Sequence, residues 1–129
     1  MTTWNLNGTK KHVLICNGSS CMRKEGEEIT LAIRDEIKNR ELDQQIHTSR
    51  TKCNGRCKDA CVVVVYPEGN WYSVTSTEVG RSLIKSHQDS TINLKDSLIY
   101  SFDNDEMKAV NTDKCIKGIS KVELEGAKS

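Results

Sequence analysis

Four of the six cysteines in this 129-residue chain fall into two closely spaced pairs. Cys16 and Cys21 form a C-x4-C pair, and Cys53 and Cys57 form a C-x3-C pair. Each pair follows a predicted strand and encloses a glycine, so we expect two loops at the same end of one sheet. Four thiolates on two converging loops are the donor set of a 2Fe-2S cluster, in which each iron takes two protein ligands.

Other interpretations of these cysteines remain open at this point. Structural zinc sites usually use C-x2-C knuckles, and a thioredoxin-type dithiol uses C-x2-C near the start of a helix. The chain contains neither spacing. Four unrelated buried cysteines are a third alternative, but all four lie in polar stretches. Residues 1–7 lack the pattern of a signal peptide, which favours a cytoplasmic protein, and disulfides are uncommon in the cytoplasm.

The elements that precede the cysteine pairs can be predicted from the hydrophobic pattern. Residues 12–15 are a short apolar run, which predicts a buried strand ending at Cys16. Gly and Ser between the first two cysteines predict a tight loop over residues 16–21. Isoleucines recur every four positions between residues 27 and 40, which predicts an amphipathic helix. Residues 45–50 fit a polar strand leading to the second pair.

Two strands and a helix are predicted after the second cysteine pair. Residues 62–66 are β-branched with no alternation, which predicts a central strand covered on both faces. A turn leads to a hairpin partner at residues 71–74. Thr75 or Ser76 can cap a second helix that ends near His87.

These predictions describe an α/β domain with two appendages. Residues 1–10 form a polar arm, residues 11–88 carry the order β-α-β-β-β-α, and residues 89–129 form a polar C-terminal extension. An alternating run at residues 98–102 predicts an additional hairpin or edge strand, followed by a tail.

Composition and the remaining motifs exclude several classes of function. The net charge of +1 provides no global attraction to nucleic acid or to a membrane surface, and no segment resembles a transmembrane span. We find no nucleophile–base pair, phosphate loop or paired carboxylates, and therefore expect no small-molecule substrate and no independent catalysis. His12, His47 and His87 are too scattered for a Rieske-type site and are interpreted as structural or solvent-facing.

The combined pattern resembles the thioredoxin-like 2Fe-2S ferredoxins, a family similar to the cluster-bearing small subunit of respiratory complex I and of some hydrogenases. The resemblance lies in the two cysteine pairs, the stretch VVVYPEGNWY at residues 63–72 and the capped helix that follows, and covers roughly residues 11–88. It implies a thioredoxin-like fold with a central mixed sheet flanked by helices, one 2Fe-2S cluster per chain, and often a homodimer. The ligands it implies are Cys16, Cys21, Cys53 and Cys57.

The chain departs from the family pattern just before the valine strand. Members usually read Gly-Pro where this chain reads Ala60-Cys61. We interpret Cys61 as a small buried residue at the start of the strand. A second interpretation is a possible alternate ligand, a spare thiolate that could replace Cys57. Cys115, in the extension, is interpreted as a free thiol.

Basic residues crowd the second cysteine pair. They are Arg50, Lys52, Arg56 and Lys58, with Asp59 as the neighbouring acid. We interpret this basic rim as a docking surface for an acidic patch on a redox partner, and a merely solvated face is the alternative.

Together these features predict a one-electron carrier between a reductase and a partner enzyme. The extension and the basic rim resemble stand-alone ferredoxins found beside bacterial biosynthetic enzymes, and this resemblance implies a pathway such as cobalamin synthesis. Two alternatives are a redox or iron–sulfur sensor that binds a partner according to its cluster state, and an electron-transfer subunit of a larger oxidoreductase.

Overall fold

The computed structural model describes residues 2–23, 25–56, 59–110 and 120. Two of the residues singled out above, Cys57 and Lys58, lie outside the described residues. The same holds for Cys115 and for nearly all of the predicted tail.

The described chain is an α/β structure with six strands and three helices. The strands are β1 (Lys11–Cys16), β2 (Ile46–Thr51), β3 (Val62–Tyr66), β4 (Asn70–Ser73), β5 (Leu98–Asp103) and β6 (Glu106–Ala109). The helices are α1 (Ser19–Arg23), α2 (Gly26–Asn39) and α3 (Thr77–Lys85). Over the described residues, none of these helices has both the length and the apolar composition that crossing a membrane requires.

All six strands belong to one mixed sheet, in the order β2-β1-β3-β4-β5-β6. β1 and β2 are parallel, and every other neighbouring pair is antiparallel. A parallel pair needs a crossover connection, which α2 provides. Because β1 and β2 run in the same direction, both end at the same edge of the sheet. Cys16, the last residue of β1, pairs there with Thr51, the last residue of β2.

The core lies between the sheet and α2. Its buried residues include Val13, Ile15, Val63 and Val65 from the sheet and Ile29, Ile33 and Ile37 from α2. All four valines of β3 are at most 3% exposed, as predicted for a central strand. A Cβ atom on Gly80 of α3 would lie 3.2 Å from Cγ1 of Ile33, so α3 packs closely against α2.

Most predicted elements are present with small shifts of their ends, but the loop predicted over residues 16–21 is wrong. The short helix α1 starts inside it and carries Cys21. Ser76 is the residue that caps α3, since its Oγ accepts a hydrogen bond from the backbone N–H of Val79 at 3.2 Å.

The strand pair expected after residue 89 is the β5–β6 hairpin. Its two turn residues, Asn104 and Asp105, have left-handed φ angles of 50° and 64°. Such angles are tolerated best by Gly, Asn and Asp and suit a two-residue hairpin turn.

Candidate metal centre

Three of the four predicted ligands line one cavity at the sheet edge where β1 and β2 end. The cavity has a volume of about 30 Å³ and is lined by Cys16, Gly18, Ser19, Cys21, Cys53, Asn54, Arg56 and Val62. Cys16 and Cys21 are only 2% and 3% exposed, whereas Cys53 is exposed. The fourth predicted ligand, Cys57, lies outside the described residues.

The sulfur atoms surround this cavity rather than converging on one point. Within the part of the chain that the structure describes, no group of three Cys, His, Asp or Glu side chains could hold a single metal ion. A binuclear centre does not need such a group, because each of its irons takes two thiolates. The three described thiols around the cavity are compatible with such a centre, whose fourth predicted ligand lies outside the described residues.

Backbone contacts tie the two cysteine loops together. The N–H of Asn17 donates to the carbonyl of Thr51 at 2.7 Å, and the Cys16 thiol donates to the carbonyl of Lys52 at 3.4 Å. In the second loop, the N–H of Gly55 donates to Sγ of Cys53 at 3.3 Å. An N–H donor of this kind stabilises negative charge on a ligand sulfur.

Two glycines allow the segments of the site to approach each other. A Cβ atom on Gly18 would lie 3.0 Å from the backbone N and Cα of Cys53. A Cβ atom on Gly26, the first residue of α2, would lie 2.7 Å from the carbonyl oxygen of Cys21. A side chain at either position would push apart the segments that carry the predicted ligands.

Burial favours the protonated form of the first-pair thiol on α1. It raises the pKa of Cys21 to about 11, and it raises the pKa of Cys61 to about 12, since both thiolates would lose their hydration. A metal that binds such a thiol must displace its proton, so binding and deprotonation are coupled.

Cys61 lies directly against the first cysteine pair. It is fully buried just before β3, and its thiol donates to the carbonyl oxygen of Cys16 at 3.3 Å. After burial, the nearby thiol of Cys21 is the next cause that raises the pKa of Cys61. The interpretation of Cys61 as a small buried residue at the start of the strand is thus confirmed, and its described thiol neighbours are Cys16 and Cys21.

The basic rim is partly neutralised by acidic partners. The guanidinium of Arg50 forms an ion pair with both carboxylate oxygens of Glu27 on α2, one of them at 3.1 Å. Arg56 forms an ion pair with Asp59 at 2.7 Å, and its side chain is only 11% exposed. Lys52 is exposed. Arg56 is thus largely buried and paired within the chain, and its docking role stays a prediction.

Tyr100 is a neighbour of the site that no sequence pattern indicated. The guanidinium carbon of Arg56 lies 5.1 Å from the centre of the Tyr100 ring. None of the three histidines lines the cavity. The rings of His12 and His47 lie 5.1 Å apart, and Nε2 of His12 is hydrogen-bonded to Oγ of Ser49 at 2.8 Å. His87 follows α3. No local pattern linked Tyr100 to the cysteines, since it lies far along the chain.

Comparison with known proteins identifies the family. Residues 2–88 match the family model of the thioredoxin-like 2Fe-2S ferredoxins. The chain belongs to this family. Membership assigns it one 2Fe-2S cluster as its cofactor, and the thiol-lined cavity fits that group because soft thiolates are the ligands that such a cluster takes.

Related proteins agree with this assignment. A Priestia megaterium protein that carries the name of a 2Fe-2S ferredoxin is 52% identical over 122 residues, 95% of each chain. A 2Fe-2S ferredoxin of Clostridium pasteurianum is 31% identical over 86 residues, 60% of this chain and 84% of its own. The solved thioredoxin-like 2Fe-2S ferredoxin of Aquifex aeolicus is 23% identical, with a TM-score of 0.64 over 78% of this chain and 99% of its own. It shows that the fold is shared.

Proposed function

We propose that this chain carries single electrons between a reductase and a partner enzyme, with its cluster held by Cys16, Cys21, Cys53 and Cys57. The observation that supports this most is the shared cavity, where cysteines from two distant segments meet at the edge of the sheet. When bound, the cluster supplies the one-electron chemistry.

The burial of the site suits an electron carrier. Cys16 and Cys21 are shielded by the ends of β1 and α1, whereas Cys53 is exposed. One side of the site is therefore sheltered from water, and the other faces a docking partner. The N–H of Gly55 provides a fixed donor to Cys53 on that outer side.

We propose that the basic rim docks an acidic surface of the partner, with Lys52 as its main described contributor. Lys52 precedes Cys53 and is exposed, so its charge is available to a partner. Arg50 and Arg56 contribute less because each has an acidic partner within the chain. We also assign Lys58 a docking role, because it directly follows Cys57 in the sequence. A homodimer, a cytoplasmic location and a role in a biosynthetic pathway such as cobalamin synthesis also remain predictions.

A reductive titration of anaerobically purified protein tests the carrier role. We expect a coloured protein that takes up one electron per cluster, bleaches with dithionite and recovers fully on reoxidation. Colourless protein with zinc or no metal would contradict the cofactor and the role together. Loss of the cluster on mild oxidation would instead favour a sensor.

Single Cys-to-Ser substitutions test the ligand set. Replacing Cys16, Cys21, Cys53 or Cys57 should change the visible absorption or lower the iron content. Replacing Cys115 provides a matched control, because that residue lies outside the proposed set. An unchanged spectrum in the Cys53→Ser variant would remove Cys53 from the site.

A further inference from the structure

We propose that the β5–β6 hairpin is a working part of the cluster site, in which Tyr100 is a positioning residue. The Tyr100 ring holds the side chain of Arg56, and Arg56 fixes the loop between Cys53 and Cys57. The inference rests on the proposed ligand set. The hairpin begins beyond residue 88, where the match to the family model ends.

Arg56 is held from two sides. Its guanidinium carbon lies 5.1 Å from the centre of the Tyr100 ring, and its Nε donates to Oδ2 of Asp59 at 2.7 Å. The side chains of Arg56 and Asp59 are only 11% and 8% exposed. A planar guanidinium between an aromatic face and a carboxylate has few alternative rotamers, and little water competes for it.

The two groups that hold Arg56 are themselves anchored to the sheet. Tyr100 pairs in register with Trp71 on β4 and with Ala109 on β6, and its ring lies 6.4 Å from that of Trp71 at 75°. The carbonyl oxygen of Asp59 accepts a hydrogen bond from Oγ of Ser73 at 2.8 Å. Arg56 is therefore clamped by groups that belong to the rigid part of the domain.

A fixed Arg56 side chain also limits the movement of the loop that carries the proposed ligands. It is one of the three residues between Cys53 and Cys57, and it lines the cavity together with Cys53. Release of a cluster from two loops requires one loop to move away from the other. A loop with one side chain clamped to the sheet opens less often, so we expect the Tyr100–Arg56 contact to slow cluster release.

Chelator-driven bleaching of the holoprotein tests this inference. Tyr100→Leu removes the aromatic face, and we expect release of the cluster to become at least about fivefold faster. Tyr100→Phe keeps the face and should stay close to wild type. Phe102→Leu is the matched control, because Phe102 lies on the same strand and is 55% exposed.

Two further measurements separate positioning of the loop from simple loss of stability. The reduction potential and the visible circular dichroism of the cluster should shift in Tyr100→Leu but not in Phe102→Leu. Tyr100→Leu and Arg56→Gln should be non-additive in a double-mutant cycle of release rates, because both break the same contact. Additive effects, or release from Tyr100→Leu at the wild-type rate, would overturn the inference while leaving the ligand set intact.

Arg56→Lys provides a test that does not depend on Tyr100→Leu folding. It keeps the charge beside Asp59 but loses the planar group over the ring, so we expect faster release than in wild type. Wild-type release from this variant would also overturn the inference. Failure of the ligand set has a different signature, since Cys53→Ser would then retain the normal spectrum and iron content.

Discussion

Gly18 and Cys53 lie so close together that a Cβ atom on Gly18 would be 3.0 Å from three atoms of Cys53, namely N, Cα and Cβ. The two residues come from different cysteine loops, so this contact sets how near the loops can approach. Two of the three atoms belong to the backbone, which cannot yield as a flexible side chain could.

Substitution of Gly18 by Ala should therefore impair the site. The added methyl group must push the second loop outward, and we expect lower iron content and weaker visible absorption in protein purified under the same conditions. Gly80→Ala is a suitable control, because it crowds Ile33 at 3.2 Å between α2 and α3, away from the cavity. It should leave the iron-to-protein ratio unchanged, because any change it makes in packing lies between α2 and α3. Equal iron content in the two variants would show that the loop contact is unimportant.

Reversal of the charge at Lys52 should weaken partner docking. Lys52→Glu places a negative charge beside the exposed Cys53, and we expect electron transfer to an acidic partner to slow by roughly threefold to tenfold at low salt. The effect should fade at high ionic strength because exposed charges are screened within about 10 Å at 0.1 M salt.

Lys38→Glu is the matched control for that charge change. Lys38 is exposed in the last turn of α2. The other end of that helix, at Gly26, is the end that lies against Cys21, so Lys38 is the more distant from the cavity. The measurement is the rate of electron transfer of both variants in stopped flow over a range of salt concentrations. Identical rates at low salt would remove the docking role of Lys52.

Cys61 should be able to take the place of Cys21 when that ligand is lost. Its buried thiol donates to the carbonyl oxygen of Cys16, next to the cavity that Cys16 and Cys21 line, so a small movement would bring its sulfur to that cavity. We expect Cys21→Ser to retain a cluster with an altered absorption spectrum, and the Cys21→Ser/Cys61→Ser double variant to retain almost none. Cys61→Ser alone should resemble wild type. Equal iron content in the single Cys21→Ser variant and the double variant would contradict the replacement of Cys21 by Cys61, and replacement of Cys57 stays a separate prediction.

His87 should make the fold less stable in mild acid. Burial of its ring, and then the nearby charge of Lys11, lower the pKa of His87 below 6.5, and among the described residues its Nε2 has no hydrogen-bond partner. The unfolded chain therefore binds this proton first as the pH falls. Stability should drop below about pH 6.5, with a slope of at most about 1.4 kcal/mol per pH unit from this group.

The variant His87→Gln should lose that part of the pH dependence. Urea unfolding between pH 8 and 5.5 provides the measurement, and the titration of other groups is common to both proteins. At pH 8 the histidine is neutral in both states, so the difference between the proteins there reports packing alone. Parallel stability profiles across this range would rule out the contribution of His87.

Structural elements that depend on residues close together along the chain could be predicted from the sequence. The unbroken valines of β3 indicated a buried central strand, and the isoleucine spacing indicated α2. The convergence of the two cysteine loops followed from strands that end at a common edge, which the register of Cys16 with Thr51 bears out. The helix α1 was missed because five residues are too few for a hydrophobic period to show.

Contacts between remote residues could not be predicted in this way. Glu27 lies outside the second cysteine segment, so its ion pair with Arg50 was not apparent when charges were counted along the sequence. The contact of Arg56 with Tyr100 depends on the register of β5 against β4, which no local pattern specifies. The electrostatic surroundings of the site are thus a property of the tertiary structure.

The wide separation of the cysteine pairs along the chain also bears on the unfolded ensemble. Iron bound by both Cys16 and Cys53 would cross-link a covalent ring of roughly 40 residues that contains all of α2, as a disulfide would. By the chain-entropy relation for such rings, this staple would add on the order of 4 kcal/mol to the free energy of unfolding. Binding of the cluster would then stabilise the folded domain against unfolding. The apoprotein would unfold more often than the holoprotein, and proteases would degrade it faster.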